Sequence, residues 1–306
     1  MSILFGNHGI DRGQYGFRGR TRGLGREGVS QKERGSCPEF KSKGEMKMPT
    51  NTLENHKTVS RDEWLVARKK LLAREKALTR ERDAVAAERR QLPWVKVEQS
   101  YVFDGPNGKA TLADLFDGRS QLIIYHFMFG PDWQEGCPSC SFNMDHTDGA
   151  PVHLAQRDVA FAAISRAPYP KIAAFKKRMG WHFNWVSSNA NDFNRDYHVA
   201  FTKDEIASGS VYYNYAMGKF PSEEAPGFSV FYMNASGEIF HTYSAYARGT
   251  ETTVNTYNYL DLVPKGRDED ALPFTMSWLR HHDRYADGRL ADADKPYWPK
   301  NAVPQR

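Results

Sequence analysis

The sequence lacks a long hydrophobic run, since no stretch approaches the roughly 18 apolar residues of a membrane-spanning helix. Residues 1–5 are too short for the apolar core of a secretion signal, and no small-residue cleavage site follows them. Cysteine is scarce as well: the chain contains 3, which argues against the disulfide framework of a small secreted protein. We therefore expect a cytoplasmic protein.

Most of the chain also lacks net charge. The whole chain has 42 Lys and Arg against 37 Asp and Glu, a net charge of +5, and residues 1–50 alone have ten against five. Residues 51–306 are therefore neutral, which gives no reason to expect nucleic acid as a partner of the folded part.

Residues 1–47 have no hydrophobic period and are rich in Gly and Arg, so we expect them to be disordered. An arm that binds nucleic acid and a mitochondrial presequence are two alternatives. The abrupt change of character at Met48 favours a third, translated sequence upstream of a start at Met46 or Met48. The predicted domain spans residues 53–285, and residues 286–306 form a polar tail.

A long charged helix is predicted at residues 60–91. Ser60 and Glu63 can form a capping box at its start, and Pro93 follows its end. Apolar residues recur every seven positions along it, at Trp64, Leu71, Leu78, Val85 and Leu92. Such a narrow stripe needs a partner. We expect it to pack on its own domain, with a homodimer through residues 60–91 as the alternative.

Residues 121–129 are almost all apolar or aromatic and contain no Gly or Pro, which predicts a buried strand of a parallel sheet. After a loop come Cys137 and Cys140, with Pro138 placed to open a helix. Strand, loop and Cys-x-x-Cys at a helix start are typical of a thioredoxin-like redox site. The helix start would lower the pKa of Cys137, whose thiolate attacks a disulfide, while Cys140 resolves the mixed disulfide. Pro138 and Ser139, between the thiols, are expected to tune the reduction potential.

The same cysteine spacing also supplies half of a zinc site. No second Cys-x-x-Cys exists, because the third cysteine is the isolated Cys37. His146 is the nearest further ligand, but its distance of six residues from Cys140 is an unfavourable helical spacing. We therefore predict no metal, and no cofactor other than a redox-active disulfide of Cys137 and Cys140.

The remaining pattern predicts a mixed α/β fold. Residues 158–165 form a second buried strand, residues 169–179 an amphipathic helix and residues 183–187 a further strand, an order that implies parallel pairing with right-handed crossovers. A hairpin and short helix at residues 101–116 resemble the N-terminal region of peroxiredoxin-type proteins. An antiparallel hairpin at residues 225–243 completes the sheet. We predict a thioredoxin-like fold of this type, a central mixed sheet flanked by helices.

Pro226 lies just before the penultimate predicted strand. In thioredoxin-like proteins a cis-proline there faces the cysteine pair, and the backbone of the preceding residue pairs with the substrate. We therefore expect a cis Ala225–Pro226 bond that positions the substrate, with a trans proline at a strand start as the alternative. Trp133, in the loop before Cys137, is a further candidate for substrate contact, with core packing as the alternative.

Several segments together resemble one family. They are residues 127–133, 136–142, 165–168, 176–181, 185–188, 192–194, 241–243 and 257–262. The family they resemble is the bacterial thioredoxin-like family catalogued as domain of unknown function 899, described as predicted dithiol-disulfide oxidoreductases. The resemblance covers residues 59–285 and implies a thioredoxin-like fold and a redox role.

Two positions depart from better-known thioredoxin-like proteins. A peroxiredoxin has Thr three residues before its peroxide-reactive cysteine, where this chain has Gln134. Thioredoxin has a buried acid on the strand before its cysteine pair, where this chain offers His126. His126 is therefore a candidate base for Cys140, with a hydrogen-bonded core histidine as the alternative.

The sequence thus predicts a thiol-disulfide oxidoreductase. Its substrate would be a disulfide-containing protein or a small-molecule thiol, with Cys137 attacking and Cys140 resolving. A thiol peroxidase of peroxiredoxin-like type that uses the same Cys137 is the first alternative. A metal-binding module and an interaction protein whose long helix binds partners are the others.

Overall fold

The computed structural model describes residues 56–272 and 275–285, so the predictions for residues 1–47 and 286–306 lie outside it. The helices of the described part are α1 (Arg61–Arg89), α2 (Pro138–Thr147), α3 (Pro151–Ala155), α4 (Tyr169–Met179), α5 (Phe193–Asp196), α6 (Lys203–Ser208) and α7 (Asn255–Leu260). The strands are β1 (Val95–Lys96), β2 (Val102–Gly105), β3 (Gly108–Thr111), β4 (Gln121–His126), β5 (Val159–Ser165), β6 (Asn184–Ser187), β7 (Val211–Tyr213), β8 (Ala216–Gly218), β9 (Gly227–Met233) and β10 (Ile239–Tyr246). None of these helices combines the length and apolar character needed to cross a bilayer.

Eight strands form one mixed sheet in the order β1-β10-β9-β4-β5-β6-β2-β3. Strands β4, β5 and β6 are parallel, whereas β9 runs antiparallel to β4 and β10 runs antiparallel to β9. Helices α2 and α4 follow β4 and β5, so each parallel connection contains a helix, as such connections require. The order β10-β9-β4-β5, with the first helix after β4, is that of a thioredoxin-like core. The predicted fold class is confirmed.

Strand β4 lies in the middle of this sheet and divides the core into two layers. Its side chains alternate between the faces, because successive residues of a strand point to opposite sides. Leu122 and Ile124 pack in one cluster, on the side of Phe103, Phe193 and Phe231. Tyr125 and the two phenylalanines after the strand, Phe127 and Phe129, pack in the other cluster, which also contains Cys140, Phe175 and Trp185. The helix that carries the cysteines therefore lies on the second face.

A second, two-stranded sheet of β7 and β8 is inserted between β6 and β9. The segment ahead of it is paired to the chain just before β9: the Phe201 N–H donates to the Glu223 carbonyl and the Ala225 N–H to the Val199 carbonyl, both at 2.9 Å. The insertion thus makes backbone contacts at the entrance to β9, next to the position of Pro226.

Helix α1 begins with the predicted capping box, in which Ser60 accepts from the Glu63 N–H at 3.3 Å while the Glu63 carboxylate accepts from the Ser60 N–H at 3.0 Å. No residue of α1 is buried. The prediction that its stripe packs on the chain's own domain is therefore wrong. The helix is about 44 Å long at 1.5 Å per residue, and only its last turns come near the sheet, where Arg89 lies over the Tyr243 ring at 4.7 Å.

Candidate dithiol site

Cys137 and Cys140 lie at the N-terminus of α2, close together and both as free thiols. Cys137 is the N-cap residue, and its N–H donates to the Met128 carbonyl at 3.0 Å while its own carbonyl accepts from the Ser141 N–H at 2.9 Å. Cys137 is partly exposed, whereas Cys140 is 1% exposed. Cys137 is therefore the outer residue of the pair, and Cys140 lies one turn behind it.

The two thiols differ in acidity because their surroundings differ. A hydrogen bond from Cys140 lowers the pKa of Cys137 to about 7; burial opposes this shift, and the backbone N–H groups of Cys140 and Ser139 and the Ser139 hydroxyl support it. Burial raises the pKa of Cys140 well above its ordinary value, and the neighbouring Cys137 adds to the effect. Near neutral pH a large fraction of the Cys137 thiol is therefore ionised, whereas the Cys140 thiol is protonated. Ser139 thus contributes to the acidity of Cys137, while the role of Pro138 and Ser139 in tuning the reduction potential stays a prediction.

Tyr125 is the polar side chain of β4 that reaches the inner thiol, and sequence reasoning missed it. Its hydroxyl is close enough to the Cys140 sulfur to lower the pKa of Cys140, against the effect of burial. The Met128 N–H donates to the same sulfur at 3.5 Å. A signal was present in the sequence, because Tyr125 shares its strand face with Phe127 and Phe129, but the face covered by the cysteine helix was not known.

The prediction that His126 acts as the base for Cys140 is wrong. His126 directly follows Tyr125 on β4, so its side chain points to the opposite face of the sheet. There it is fully buried, with its Nε2 2.8 Å from the Ser229 hydroxyl and its ring stacked near Phe193 and Tyr197. Burial, with His241 nearby, lowers the pKa of His126 to about 3, so it stays neutral. The structure supports the alternative of a hydrogen-bonded core histidine.

The prediction of a cis Ala225–Pro226 bond is also wrong, since the described part of the chain contains no cis peptide bond. The backbone on both sides of this bond already has partners. The Ala225 N–H donates to the Val199 carbonyl at 2.9 Å, and the Pro226 carbonyl accepts from the Tyr213 hydroxyl at 2.7 Å. Val199 and Tyr213 both belong to the segment between β6 and β9. The Ala225 N–H is therefore not available to a bound substrate.

Trp133 lies in the loop between β4 and Cys137, partly buried against the core cluster that contains both cysteines. Its carbonyl accepts from the Lys171 ammonium at 3.2 Å, which ties the loop to α4. A Cβ built on Gly130 would lie 3.0 Å from the Trp133 ring nitrogen, so the loop closes tightly on this side chain. A role of Trp133 in substrate contact stays a prediction.

His146 is not placed to act as a metal ligand with the cysteines. Its Nδ1 donates to the Phe142 carbonyl at 2.6 Å, and its Nε2 accepts from the Thr256 N–H at 3.1 Å. Both ring nitrogens are therefore used within the protein. Across residues 56–272 and 275–285, no three His, Cys, Asp or Glu side chains are grouped so that they could hold a metal ion.

Strand order and the dithiol at the start of the first core helix define a thioredoxin-like α/β protein. The chain belongs to the family described as "Bacterial protein of unknown function (DUF899)", whose model matches residues 53–285. The resemblance read from the sequence is confirmed. No curated protein sequence matches the chain.

Solved structures similar to this chain include two peroxiredoxins and a thiol:disulfide interchange protein. Peroxidoxin BcpB from Mycobacterium tuberculosis is 10% identical over 54% of this chain and 95% of its own, with a TM-score of 0.36. A cysteine-to-serine mutant of peroxiredoxin Q from Xanthomonas campestris is 13% identical over 52% and 90%, with a TM-score of 0.35. A putative DsbE from Chlorobium tepidum is 11% identical over 55% and 97%, with a TM-score of 0.32. The fold assignment rests on strand order and not on these likenesses.

Proposed function

We propose that the protein is a thiol-disulfide oxidoreductase. The observation that carries this proposal is the pair of free thiols at the start of α2, with a partly exposed Cys137 of lowered pKa beside a buried Cys140 of raised pKa. Thiolate is the form of cysteine that attacks a disulfide, and an attacking thiol is most effective when its pKa lies near the ambient pH.

The reaction has two exchange steps. The Cys137 thiolate forms a bond to one sulfur of the substrate disulfide, and the other substrate sulfur leaves as a thiolate that takes up a proton. Cys140 then loses its proton and attacks the Cys137 sulfur, which releases the second substrate thiol and leaves a Cys137–Cys140 disulfide. The substrate is reduced by two electrons and the protein is oxidised by two, so a thiol reductant must restore the dithiol.

Tyr125 takes the place in this mechanism that the sequence suggested for His126. Cys140 becomes negatively charged as it attacks, inside an apolar layer where an isolated charge is costly. The Met128 N–H lies 3.5 Å from its sulfur, and the Tyr125 hydroxyl is close enough to lower the pKa of Cys140, so both can donate to the developing thiolate. No prosthetic group is needed, because the two sulfurs exchange the electrons directly. The substrate would be a disulfide-containing protein or a small-molecule disulfide.

Reduction of insulin by a small thiol, followed by turbidity, tests the proposal. We expect Cys137→Ser to abolish the catalysed rate, and Cys140→Ser to accumulate a mixed disulfide with insulin that mass spectrometry detects. Cys37→Ser is the matched control and should keep the wild-type rate.

A Cys137→Ser protein as active as the wild type would refute the proposal. Fast oxidation of Cys137 by hydrogen peroxide, together with no insulin reduction, would favour a thiol peroxidase instead. In that case Gln134 stands where peroxiredoxins have Thr, so the peroxide would be bound in a different way.

A further inference from the structure

His281, at the end of the described chain, touches the peptide unit that precedes the attacking cysteine. The side chain is 3% exposed, and its Nε2 lies 2.8 Å from the Gly136 carbonyl oxygen. Because a carbonyl only accepts, Nε2 carries the hydrogen and Nδ1 is the acceptor. The ring packs edge-on against Phe175 of α4, with 5.2 Å between the ring centroids.

A cluster of charged residues holds His281 in this position. The Arg178 guanidinium makes a bidentate contact with Asp283, at 2.7 Å and 2.9 Å, and a third bond to Glu135 at 2.7 Å. Its Nη2 also lies 3.3 Å from the His281 Nδ1, where it can donate to the free nitrogen. Arg284 pairs with the same Glu135 carboxylate. The residues flanking His281 are thus anchored both to α4 and to the loop just before Cys137.

The Gly136–Cys137 peptide unit is fixed at both of its polar ends. His281 binds its carbonyl, and the Met128 carbonyl accepts its N–H at 3.0 Å. There is no space for a side chain at Gly136, because a Cβ there would lie 2.6 Å from the Phe127 ring. The orientation of this peptide sets the backbone of Cys137 as N-cap residue, and so sets where its sulfur stands relative to the first N–H groups of α2.

We propose that His281 is a positioning residue for Cys137, which it holds at the start of α2 through the Nε2–H bond to the Gly136 carbonyl. The inference rests on the proposed function, since it gives this bond a purpose in thiol chemistry. Burial lowers the pKa of His281. At a pH above the ordinary pKa of histidine the ring is therefore neutral, and its hydrogen can stay on Nε2.

Alkylation of Cys137 by iodoacetamide as a function of pH tests the proposal in the reduced, full-length protein. The modified peptide is quantified by mass spectrometry, so Cys37 and Cys140 do not contribute. We expect the midpoint for His281→Ala to rise toward that of an ordinary cysteine. A rise of one pH unit would make alkylation below the midpoint on the order of tenfold slower than in the wild type.

Two further variants separate the hydrogen bond from mere packing. His281→Gln can place an N–H near the position of Nε2 and should keep the wild-type midpoint, whereas the shorter Asn of His281→Asn cannot reach and should behave as Ala. The neighbouring His282, which pairs with Asp145 at 2.6 Å, supplies the control His282→Ala, with an unchanged midpoint expected.

An unshifted midpoint in folded His281→Ala and His281→Asn would overturn the inference, and so would an equal shift in His282→Ala. Should the Ala variant fail to fold, the comparison of Gln with Asn still decides. The measurement uses no disulfide substrate. A wild-type protein that fails to reduce insulin but shows the predicted midpoint shifts would therefore disprove the enzyme and not the positioning role.

Discussion

Glu224 is a buried carboxylate next to Gly130, in the loop between β4 and Cys137. The proposed mechanism does not use it. It is 1% exposed, and its Oε1 accepts from both Nε and Nη2 of Arg166, at 2.7 Å and 2.6 Å. Its Oε2 has no hydrogen-bond partner within the described chain. Burial raises the pKa of Glu224 to about 7, and Arg166 opposes this shift only in part. The raised pKa makes the stability of the protein depend on pH near neutrality.

The sign of this dependence follows from linkage. A carboxyl whose pKa is higher in the folded protein binds its proton more tightly there, so its contribution is complete below the unfolded pKa and is lost as pH rises through about 7. We expect the free energy of unfolding of the wild type to fall, relative to Glu224→Gln, between pH 5 and pH 8. The difference should be on the order of 1–3 kcal/mol, measured by chemical denaturation of the reduced proteins.

The adjacent Glu223, for which burial is less complete, provides the control. Glu223 adds only a minor contribution to the raised pKa of Glu224, after burial, so Glu223→Gln should keep most of the pH dependence of the wild type. Parallel stability curves for the wild type and Glu224→Gln over this pH range would show that Arg166 keeps the Glu224 carboxylate ionised throughout.

At the scale of single residues, the sequence identified the two cysteines but not the groups around them. Their spacing and the preceding strand are local features, so Cys137 and Cys140 could be found by inspection. The choice between Tyr125 and His126 depended on which sheet face α2 covers, and this is set by crossover geometry and not by the strand itself. His281 lies 145 residues from its partner Gly136, beyond the reach of any local pattern.

At the scale of elements, the loop from β4 to α2 is held by close packing at Gly136. A Cβ there would lie 2.6 Å from Phe127 and 2.9 Å from Phe175, and both are buried rings in the core. We expect Gly136→Ala to destabilise the protein by about 1–3 kcal/mol, the usual penalty of overpacking, and to reduce insulin reduction more than that loss of stability explains. Thermal unfolding and the rate at a temperature where the variant is folded measure the two effects.

Gly149, between α2 and α3, is a matched control for this substitution. A Cβ there meets nothing within 4 Å, and its φ does not lie in the left-handed region. Gly149→Ala should therefore keep both stability and rate close to the wild type. Equal effects of the two substitutions would mean that the packing around Gly136 does not set the position of Cys137.

The elements themselves were largely predictable, because each has a local signal. The capping box marked the start of α1, and α4 has the predicted bounds 169–179, with Gly180 at φ 68° as its C-cap. The trans form of the Ala225–Pro226 bond was not predictable in the same way. A cis bond was inferred from thioredoxin-like proteins, whereas in this chain Val199 and Tyr213 pair with the backbone on the two sides of the bond.

At the scale of the whole molecule, α1 covers a cavity of about 940 Å³ against one face of the sheet. Ile123, Phe228 and Val230 lie on the floor of this cavity, and Val85 and Arg89 of α1 lie on its other side. Only residues 79–89 of the helix line it. The first half of α1 extends beyond the sheet, with its apolar stripe in solvent.

We predict that this exposed stripe pairs with the same helix of a second copy. Trp64, Leu71 and Leu78 are 47%, 49% and 60% exposed and stand seven residues apart, the spacing that two helices need to supercoil. A helix of 29 residues spans about four such repeats.

We expect a dimer in sedimentation velocity at micromolar concentration, and a monomer for the double variant Leu71→Glu, Leu78→Glu. The pair Ala73→Glu, Ala87→Glu adds the same charge on the opposite side of α1 and should stay dimeric. If the wild type sediments as a monomer across this concentration range, the stripe does not join two copies, and the exposed half of α1 must be explained by a partner of another kind.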